Sequence, residues 1–350
     1  MTTPAVHTVW DTGRLSSTEA AVLYAARDIR VEERPLPPLG PHDVLIELKS
    51  GGICGSDMHY FAEGRNGTNV LQQPTVLGHE AAGVVVAAGP DSAHGPGTAV
   101  VIEPSLPCGT CPTCLSGHAN VCPHGACFGS PPTDGLFARH AVVPGTSAHS
   151  LPAAIPAEIG AAIEPLAVAV WAVERAQVEA GQRVLVTGAG PIGLLVAQVL
   201  AARGAGEIVV TDVNDHRLSV ALGLGATDAV NTATGQLTAT GLDRLIECSG
   251  TMRALVDGVR ALRPAARAVV VGQAKPTVDG LPLGFLQRYE IDLVPAFRYN
   301  NAFPTAIGLA ASGRVDVRSI ITGTYPLHDV AAALEAPVID PTHLKVLITY

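Results

Sequence analysis

The stretch RVLVTGAGPIGLLVAQVLAARGAGEIVVTD, residues 183–212, decides the fold of this chain. It opens with a short apolar run (183–187), passes through a glycine-rich turn (188–193) and continues as an apolar, helix-like segment to Arg203. A second apolar run, EIVVTD (207–212), follows. Strand, tight turn, helix and strand in this order predict a right-handed βαβ unit and a parallel sheet. Runs as apolar as VLVTG are typical of strands that are covered on both faces.

The turn itself, GAGPIG, has the G-x-G-x-x-G spacing of a dinucleotide-binding turn. Gly188 permits the tight turn, Gly190 lets the backbone approach a pyrophosphate, and Gly193 allows close packing of helix on strand. Pro191 and Ile192 would begin the helix, whose free N–H groups and dipole attract phosphate. A purely structural glycine turn is the alternative, but the position between strand and helix favours dinucleotide binding.

Asp212 lies at the end of the second strand, nineteen residues after Gly193. A carboxylate at this place accepts hydrogen bonds from ribose hydroxyls and repels a 2′-phosphate, which favours NAD over NADP. A capping aspartate is the alternative interpretation. Arg217 is predicted to border the adenosine, with a softening of the NAD preference as the alternative, and Ser249 completes the predicted cofactor-binding residues.

Strands and helices continue to alternate from residue 164 to residue 298, which predicts a doubly wound parallel sheet of the Rossmann type. Before this region, short alternating runs are separated by clusters of proline and glycine, as in a β-rich domain. We therefore predict an α/β protein of two domains. Residues 1–163 and 299–350 form the β-rich domain and residues 164–298 the Rossmann domain, with the final run LKVLITY (344–350) pairing back to the first domain.

Three local predictions complete this outline. Residues 157–178 have helical spacing. The tail from Asn300 offers one helix, at 304–312, before its last strand. Residues 1–20 are weakly patterned and are interpreted as an extension or a poorly ordered first strand.

The composition excludes several classes of protein. At 350 residues the chain is longer than one compact core usually grows, so two domains are expected. A hydrophobic fraction of 47% indicates a folded globular protein, and a net charge of −9 argues against a nucleic-acid partner. The sequence shows neither an apolar run of transmembrane length nor the features of a secretory signal. We predict a cytoplasmic protein without a membrane partner, whose seven cysteines stay reduced.

The stretch GGICGSDMHYFAEGRNGTNVLQQPTVLGHE, residues 51–80, carries the residue types of a metal site. Cys54, His79 and Glu80 offer a thiolate, an imidazole and a carboxylate, all of which zinc accepts. Three protein ligands with one open position distinguish a catalytic zinc site from a closed structural one. A lone cysteine or histidine is better explained as a packed side chain, so the metal interpretation depends on the rest of the chain.

The segment EPSLPCGTCPTCLSGHANVCP, residues 103–123, contains four cysteines with the spacing C-x2-C-x2-C-x7-C. Four thiols within fifteen residues of a cytoplasmic chain predict an all-thiolate structural zinc site. An iron–sulfur cluster is the alternative, but the ferredoxin pattern has three residues before its last cysteine where this chain has seven. The predicted ligands of a lobe spanning residues 104–127 are Cys108, Cys111, Cys114 and Cys122.

Together these motifs resemble the zinc-dependent medium-chain alcohol and polyol dehydrogenases, in the same order and from about residue 21 to residue 350. Within that family, the chain resembles the polyol branch of sorbitol, xylitol and L-idonate dehydrogenases. The four cysteines distinguish it from animal sorbitol dehydrogenases, and the combination is most similar to bacterial L-idonate 5-dehydrogenases. The residues that carry the resemblance are CGSDMHY (54–60), EGR (63–65), GHE (78–80), the four cysteines, EPLAVA (164–169), GAGPIG (188–193) and FRYNNAFPTAI (297–307).

The resemblance implies a GroES-like catalytic domain, a Rossmann domain and an active site in the cleft between them. Cys54 and His79 match the zinc ligands of the family, and Glu80 matches the carboxylate that binds zinc in the polyol branch. Glu164 would either bind the catalytic zinc directly or hold its water. Asp57 would orient His79.

The resemblance also assigns the residues around the metal. Ser56 and His59 would relay the proton that the substrate hydroxyl releases. Tyr60, Arg298 and Tyr299 would face the substrate, although an internal ion pair of Arg298 with Glu164 is an equally good interpretation.

The implied activity is the zinc-assisted, NAD-dependent oxidation of a polyol or sugar acid, with L-idonate and 5-keto-D-gluconate as the preferred pair. Two zinc ions, one catalytic and one structural, and NAD rather than NADP are the expected cofactors. Sorbitol or xylitol oxidation, or threonine or 2,3-butanediol oxidation, are the alternatives within the fold. A dinucleotide-binding relative without activity is disfavoured, because all the ligand positions are filled. The family implies a homodimer or homotetramer.

Overall fold

The computed structural model describes residues 15–273 and 280–350. The strands are β1 Ser17–Ala25, β2 Asp28–Pro35, β3 Asp43–Gly52, β4 Arg65–Asn66, β5 Asn69–Val70, β6 Thr75–Val76, β7 Glu80–Ala88, β8 Ala99–Ile102, β9 Ser105–Leu106, β10 Ala126–Cys127, β11 His140–Pro144, β12 Ala148–Ser150, β13 Arg183–Thr187, β14 Glu207–Asp212, β15 Asp228–Asn231, β16 Leu242–Glu247, β17 Leu262–Val270, β18 Asp292–Pro295, β19 Ile321–Pro326 and β20 Lys345–Thr349. The helices are α1 Gly55–Glu63, α2 Pro112–Leu115, α3 Ala157–Gly160, α4 Ile163–Ala176, α5 Pro191–Arg203, α6 Asp215–Gly223, α7 Met252–Arg260, α8 Leu283–Arg288, α9 Phe303–Ala311 and α10 Val330–Ile339.

Six strands of the second half form one sheet in the order β15-β14-β13-β16-β17-β18. All of its neighbouring strands are parallel. This is the doubly wound order of a Rossmann sheet, in which the chain reverses direction between β13 and β16. Ligands of such sheets bind beyond the carboxyl ends of the strands at that reversal. The predicted α/β fold class is therefore confirmed.

The first half forms a seven-stranded sheet with the path β12-β8-β7-β3-β20-β19, and β11 pairs with β3. β20 runs antiparallel to β3, with Leu347 opposite Gly52 and Ile348 opposite Gly51. The final run thus pairs with the strand that leads directly into Cys54. The domain boundaries at residues 163/164 and 298/299 stay a prediction.

The helix α4 lies at the junction of the two halves. Its apolar face belongs to one buried cluster with Val101 of the first sheet, Leu194 of α5 and Val186 of β13. This packing fixes the first turn of α4, and with it Glu164, between the two sheets. None of the helices in the described residues is long and apolar enough to cross a membrane.

Two of the local predictions need correction. The predicted helix at 157–178 is two helices, α3 and α4, which are separated at Ala161 and Ala162. Pro165 explains the break, because it has no N–H to donate to the carbonyl of Ala161 and its ring crowds that carbonyl. The tail contains a second long helix, α10, which sequence patterning missed because Pro337 lies inside it. Of residues 1–20, the first fourteen lie outside the described residues, and β1 begins at Ser17.

Candidate active site and metal centres

Cys54 sits at the N-cap of α1, directly after β3. The backbone N–H of Cys54 donates to Oδ2 of Asp57, 3.0 Å away, as in a capping box. The other oxygen, Oδ1 of Asp57, accepts from the backbone N–H of Gly78 at 3.3 Å and lies 3.5 Å from Nδ1 of His79. One buried carboxylate therefore holds the backbones on both sides of the predicted metal site.

His79 and Glu80 enter the site where β7 begins, after a turn at Gly78 with a φ of +90°. The side-chain donors of Cys54, His79 and Glu80 all lie within 4.8 Å of one another, so these three residues could hold a metal ion. Burial by itself lowers the pKa of His79, but the charges of Asp57 and Cys54 outweigh it and raise the pKa well above its usual value. A cation bound by the imidazole would replace that proton.

Glu80 has a partner that sequence reasoning missed. Nζ of Lys345, on β20, lies 2.8 Å from each carboxylate oxygen of Glu80 and also donates to the carbonyl of Ile53 at 2.9 Å. Both side chains are almost fully buried. A carboxylate oxygen has lone pairs for a second interaction, so the ion pair does not exclude metal binding by Glu80. The sequence feature that could have identified Lys345 as a buried partner is that it is the single lysine in the otherwise largely apolar run LKVLITY.

Glu164 lies in the first turn of α4 and is 5% exposed. Burial raises the pKa of its carboxyl to about 7, and the nearby His79 only partly offsets the rise. The other charged neighbours are Glu80 and Lys345, so the carboxyl lies near the predicted metal site. Its oxygens are not among the donor atoms that lie within 4.8 Å of one another.

The helix α1 carries the predicted proton-relay residues. Ser56 and His59 are three residues apart and therefore share one helical face. The side chain of His59 is 52% exposed, with Nδ1 3.5 Å from Oε1 of Glu63. Tyr60 is buried, and its hydroxyl accepts from Nδ2 of Asn69 at 2.8 Å. Asn69, which sequence reasoning missed, is therefore a further residue beside Tyr60 in the predicted substrate site.

Arg298 and Tyr299 lie between β18 and α9 and differ in exposure. The guanidinium carbon of Arg298 is 4.8 Å from the ring centroid of Phe297, and the side chain is half-buried. Tyr299 is 1% exposed and packs edge-on against Phe303. Its buried hydroxyl lies close to Ser105 and Glu164 but makes no well-formed hydrogen bond within the described residues, and burial, with the nearby Glu164, raises its pKa well above the usual value. Such an orphaned hydroxyl fits a site that receives a polar ligand.

The glycine-rich turn has the geometry that a dinucleotide requires. Gly188 has a φ of +90°, and a Cβ on Gly193 would lie 1.8 Å from the carbonyl oxygen of Gly188. A Cβ on Gly190 would meet nothing within 4 Å. Gly190 is the N-cap of α5, and Pro191 and Ile192 form its first turn. The packing role predicted for Gly193 and the open approach predicted at Gly190 both agree with these contacts.

Asp212 closes the same turn from the neighbouring strand. Its Oδ2 accepts from the backbone N–H of Ala189 at 2.6 Å, and its Oδ1 accepts from those of Val213 and Asn214 at 2.7 and 3.0 Å. Arg217, in the first turn of α6, has a buried Nε without a hydrogen-bond partner among the described residues. That donor is available to an adenosine.

Ser249 follows β16 at the same edge of the sheet. Its backbone N–H donates to Oε1 of the buried Glu247 at 2.7 Å. Its role toward a cofactor stays a prediction.

The four cysteines of the lobe meet in space. Their sulfurs lie 3.5–3.9 Å apart in the pairs that contact one another. A tetrahedral zinc with Zn–S bonds of about 2.3 Å requires sulfurs about 3.8 Å apart, so the cluster fits that ion. Backbone N–H groups of Cys111 and Cys114 also point at sulfurs, at 3.3 and 3.4 Å, which favours thiolates. The cluster consists of Cys108, Cys111, Cys114 and Cys122.

Comparison with known proteins agrees with this geometry. The family model for the alcohol dehydrogenase GroES-like domain matches residues 40–153, and that for zinc-binding dehydrogenase matches residues 191–312. Sorbitol dehydrogenase of Gallus gallus is 38% identical over 327 residues, which cover 90% of this chain and 92% of that protein. The chain belongs to the zinc-dependent polyol dehydrogenase family.

Solved structures of similar dehydrogenases support the same assignment. L-Idonate 5-dehydrogenase from Escherichia coli K-12 matches with a TM-score of 0.91 at 31% identity, covering 95% of this chain and 98% of that one. A protein of E. coli CFT073, described as a short chain alcohol dehydrogenase and complexed with NADH, matches with a TM-score of 0.89 at 30% identity, over 96% and 100% of the two chains. This polyol dehydrogenase is thus a zinc-binding enzyme that uses a nicotinamide dinucleotide.

Proposed function

We propose that this polyol dehydrogenase oxidises a secondary alcohol of a sugar acid or polyol, with L-idonate and 5-keto-D-gluconate as the preferred and reversible pair. The observation that carries the proposal is the cluster of Cys54, His79 and Glu80 donors, with the buried Glu164 of α4 near it at the junction of the two halves. Asn66, in the hairpin after α1, contacts Gln273, which follows β17 at that edge. The two halves therefore meet at this edge of the sheet, where a dinucleotide would bind.

The residues divide by role in this proposal. Cys54, His79 and Glu80 would hold a zinc ion that acts as a Lewis acid for the substrate hydroxyl. A bound NAD⁺ would supply the hydride acceptor for the alcohol carbon, and the hydroxyl proton would leave toward solvent, so that ketone, NADH and a proton balance the reaction. Ser56 would pass that proton to His59, whose half-exposed ring can release it to water.

The oxygen-rich surroundings of the metal donors favour a substrate with several hydroxyls. Glu164 would hold either the ion or a water molecule beside it, and Tyr60 would contact a hydroxyl of the substrate. Arg298 would pair with the carboxylate of a sugar acid through its planar fork. This pairing, together with the similarity to an L-idonate 5-dehydrogenase, supports a sugar acid as the preferred substrate.

The cofactor is proposed to be NAD, because Asp212 would repel a 2′-phosphate. Gly188, Gly190 and Gly193 would receive the pyrophosphate at the start of α5, and Arg217 and Ser249 would border the nucleoside parts. The homodimer or homotetramer and the cytoplasmic location stay predictions.

The test is metal analysis followed by a screen of NAD⁺ and NADP⁺ reduction with L-idonate, sorbitol, xylitol, L-threonine, 2,3-butanediol and ethanol. We expect the highest kcat/KM with L-idonate and NAD⁺. Cys54→Ser should lose one zinc and the activity, whereas Cys248→Ser, a cysteine behind the cofactor turn, should keep both. Turnover confined to threonine, butanediol or ethanol would contradict the proposed substrate class.

Sorbitol or xylitol is the second candidate, because the sorbitol dehydrogenase of Gallus gallus is 38% identical to this chain. The charge of the substrate separates the two candidates. Arg298→Met should raise the KM for L-idonate by at least tenfold if its carboxylate pairs with the guanidinium. A neutral polyol as the better substrate of the unchanged enzyme would favour the second candidate.

A further inference from the structure

The segment Phe297–Asn301, which carries Arg298 and Tyr299, has a backbone that its own sequence does not stabilise. Arg298 has a φ of +50° and Asn301 a φ of +53°. Left-handed backbone is uncommon outside glycine and persists where neighbouring structure holds it. Something outside the segment must therefore keep Arg298 in this conformation.

Two side-chain amides connect this segment to the four-cysteine lobe. Nδ2 of Asn120 donates to the carbonyl of Phe297 at 3.0 Å, immediately before Arg298. Nδ2 of Asn300 donates to the carbonyl of Gly117 at 2.6 Å, immediately after Tyr299. The two hydrogen bonds thus enclose the two predicted substrate residues from both sides.

Both contacts on the lobe side fall inside one loop. Gly117 and Asn120 lie between Cys114 and Cys122, the longest interval of the C-x2-C-x2-C-x7-C pattern. The sulfurs of these two cysteines belong to the same cluster. A zinc bound there would fix both ends of the loop, and the loop includes a short helical turn at Ala119–Val121 that carries Asn120. The seven-residue interval between Cys114 and Cys122 is therefore long enough to reach the segment Phe297–Asn301. The two cysteines anchor the ends of this interval.

We propose that Asn120 and Asn300 are positioning residues, through which the metal-bound lobe holds Arg298 and Tyr299 in place for the substrate. The kinetic part rests on the proposed function, because it takes Arg298 as a substrate contact. The lobe then has a role in substrate affinity beyond stability of the fold. Its metal acts on the active site through two amide hydrogen bonds.

The test uses Asn120→Asp and Asn300→Asp, which keep the shape of each side chain but replace the donor with an acceptor. Ser116→Ala is the matched control, because Ser116 lies in the same loop and, among the described residues, its hydroxyl bonds to Thr113 and His118 and not to the segment 297–301. Each protein is examined with its zinc bound. Zinc content, hydrogen exchange of the backbone around residues 297–301, and kinetics with L-idonate and sorbitol are measured.

We expect both Asp variants to retain two zinc ions and to exchange the amides of this segment about five- to tenfold faster, as loss of one hydrogen bond implies. The KM for L-idonate should rise by a similar factor, more than the KM for neutral sorbitol, with the KM for NAD⁺ unchanged. Ser116→Ala should behave as the unchanged enzyme.

Unchanged hydrogen exchange in both Asp variants would overturn the proposal, and so would equal rises in the KM values of NAD⁺ and substrate. If the unchanged enzyme oxidises no polyol or sugar acid, the proposed function fails. The exchange measurement still decides whether the lobe holds the segment.

Discussion

The buried ion pair of Glu80 and Lys345 shows that one lysine can stabilise a buried carboxylate in this site. Both side chains are nearly inaccessible, and the ammonium contacts both carboxylate oxygens at 2.8 Å. Removing one partner of a buried ion pair leaves a charge without compensation, which costs more than the pair itself contributes. Lys345 therefore makes it possible to place a carboxylate beside the metal donors before any metal is present.

Lys345→Met should destabilise the metal-free protein by about 3–5 kcal/mol, because the buried Glu80 loses the ammonium that contacts both of its oxygens. The double variant Glu80→Gln with Lys345→Met removes both charges and should recover most of that loss. Urea unfolding of chelator-treated proteins measures both values. Equal stability of Lys345→Met and the unchanged protein would refute the argument.

Asp243 offers a pH test away from the metal site. Burial raises the pKa of this carboxyl, but the N–H of Arg183 and the guanidinium of Arg263, each at 2.8 Å, outweigh burial and lower the pKa below 3.8. A group with a depressed folded-state pKa contributes stability above its unfolded pKa and loses it as the pH falls through the folded one.

Asp243→Asn should therefore lower the free energy of unfolding by about 1–2 kcal/mol at pH 7, and the difference should shrink below about pH 4. The surface pair of Arg253 and Asp257, 3.7 Å apart, provides the control. Asp257→Asn should change stability by less than about 0.5 kcal/mol at either pH. Denaturant titrations at pH 7 and pH 3.5 measure the stability of the two variants. A stability loss of Asp243→Asn that does not depend on pH would contradict the lowered pKa of Asp243.

At the scale of elements, two glycines of the glycine-rich turn serve different purposes, one for packing and the other for the approach of a ligand. Gly193 is required for packing, because its Cβ would collide with the carbonyl of Gly188. Gly190 has a φ of −72° and open space around it, so the folded chain alone does not require glycine there. Only a ligand that approaches the backbone explains glycine at that place.

Gly190→Ala should fold with a melting temperature near that of the unchanged protein but bind NADH at least tenfold more weakly, because the methyl group meets the pyrophosphate. Gly193→Ala should be strongly destabilised with or without cofactor. Thermal unfolding and NADH fluorescence titration distinguish the two effects. Wild-type NADH affinity in Gly190→Ala would mean that the pyrophosphate does not approach this turn.

The elements that sequence predicted well are those with local signals at both ends. The bounds of α5 agree with the prediction because Pro191 begins the helix and Gly204 ends it with left-handed backbone. The helix α10 escaped prediction because Pro337 is a local signal against it and only packing overrides that signal. The four lobe cysteines were predictable from residue type and spacing, whereas Cys54, His79 and Glu80 also needed the family resemblance. Lys345 was not, because its partner lies 265 residues away.

At the scale of the whole molecule, the two donor clusters are expected to respond differently to loss of a ligand. The lobe cysteines all lie within residues 108–122, whereas Cys54, His79 and Glu80 lie at the ends of α1 and β7 in the first sheet domain. Loss of the lobe metal should therefore leave the Rossmann domain intact.

Cys111→Ser should bind one zinc per chain in place of two, melt at a lower temperature and keep its affinity for NADH. Elemental analysis and NADH titration check this outcome, with Cys127→Ser as a control that should keep both ions. Two zinc ions in Cys111→Ser would contradict the ligand assignment. Iron with visible absorption in the unchanged protein would favour the iron–sulfur alternative.

The return of β20 to β3 has a consequence for how this protein is made. During synthesis, β3 and Glu80 leave the ribosome long before β20, with the whole parallel sheet between them. The Rossmann unit can fold first, while residues 50–52 of β3, which β11 does not cover, wait without their β20 partner and can pair with another nascent chain. Pairing of β20 with β3, rather than any early local contact, brings Lys345 to Glu80 and completes the site. Slow or interrupted translation near residues 345–349 should appear as aggregation instead of as reduced turnover.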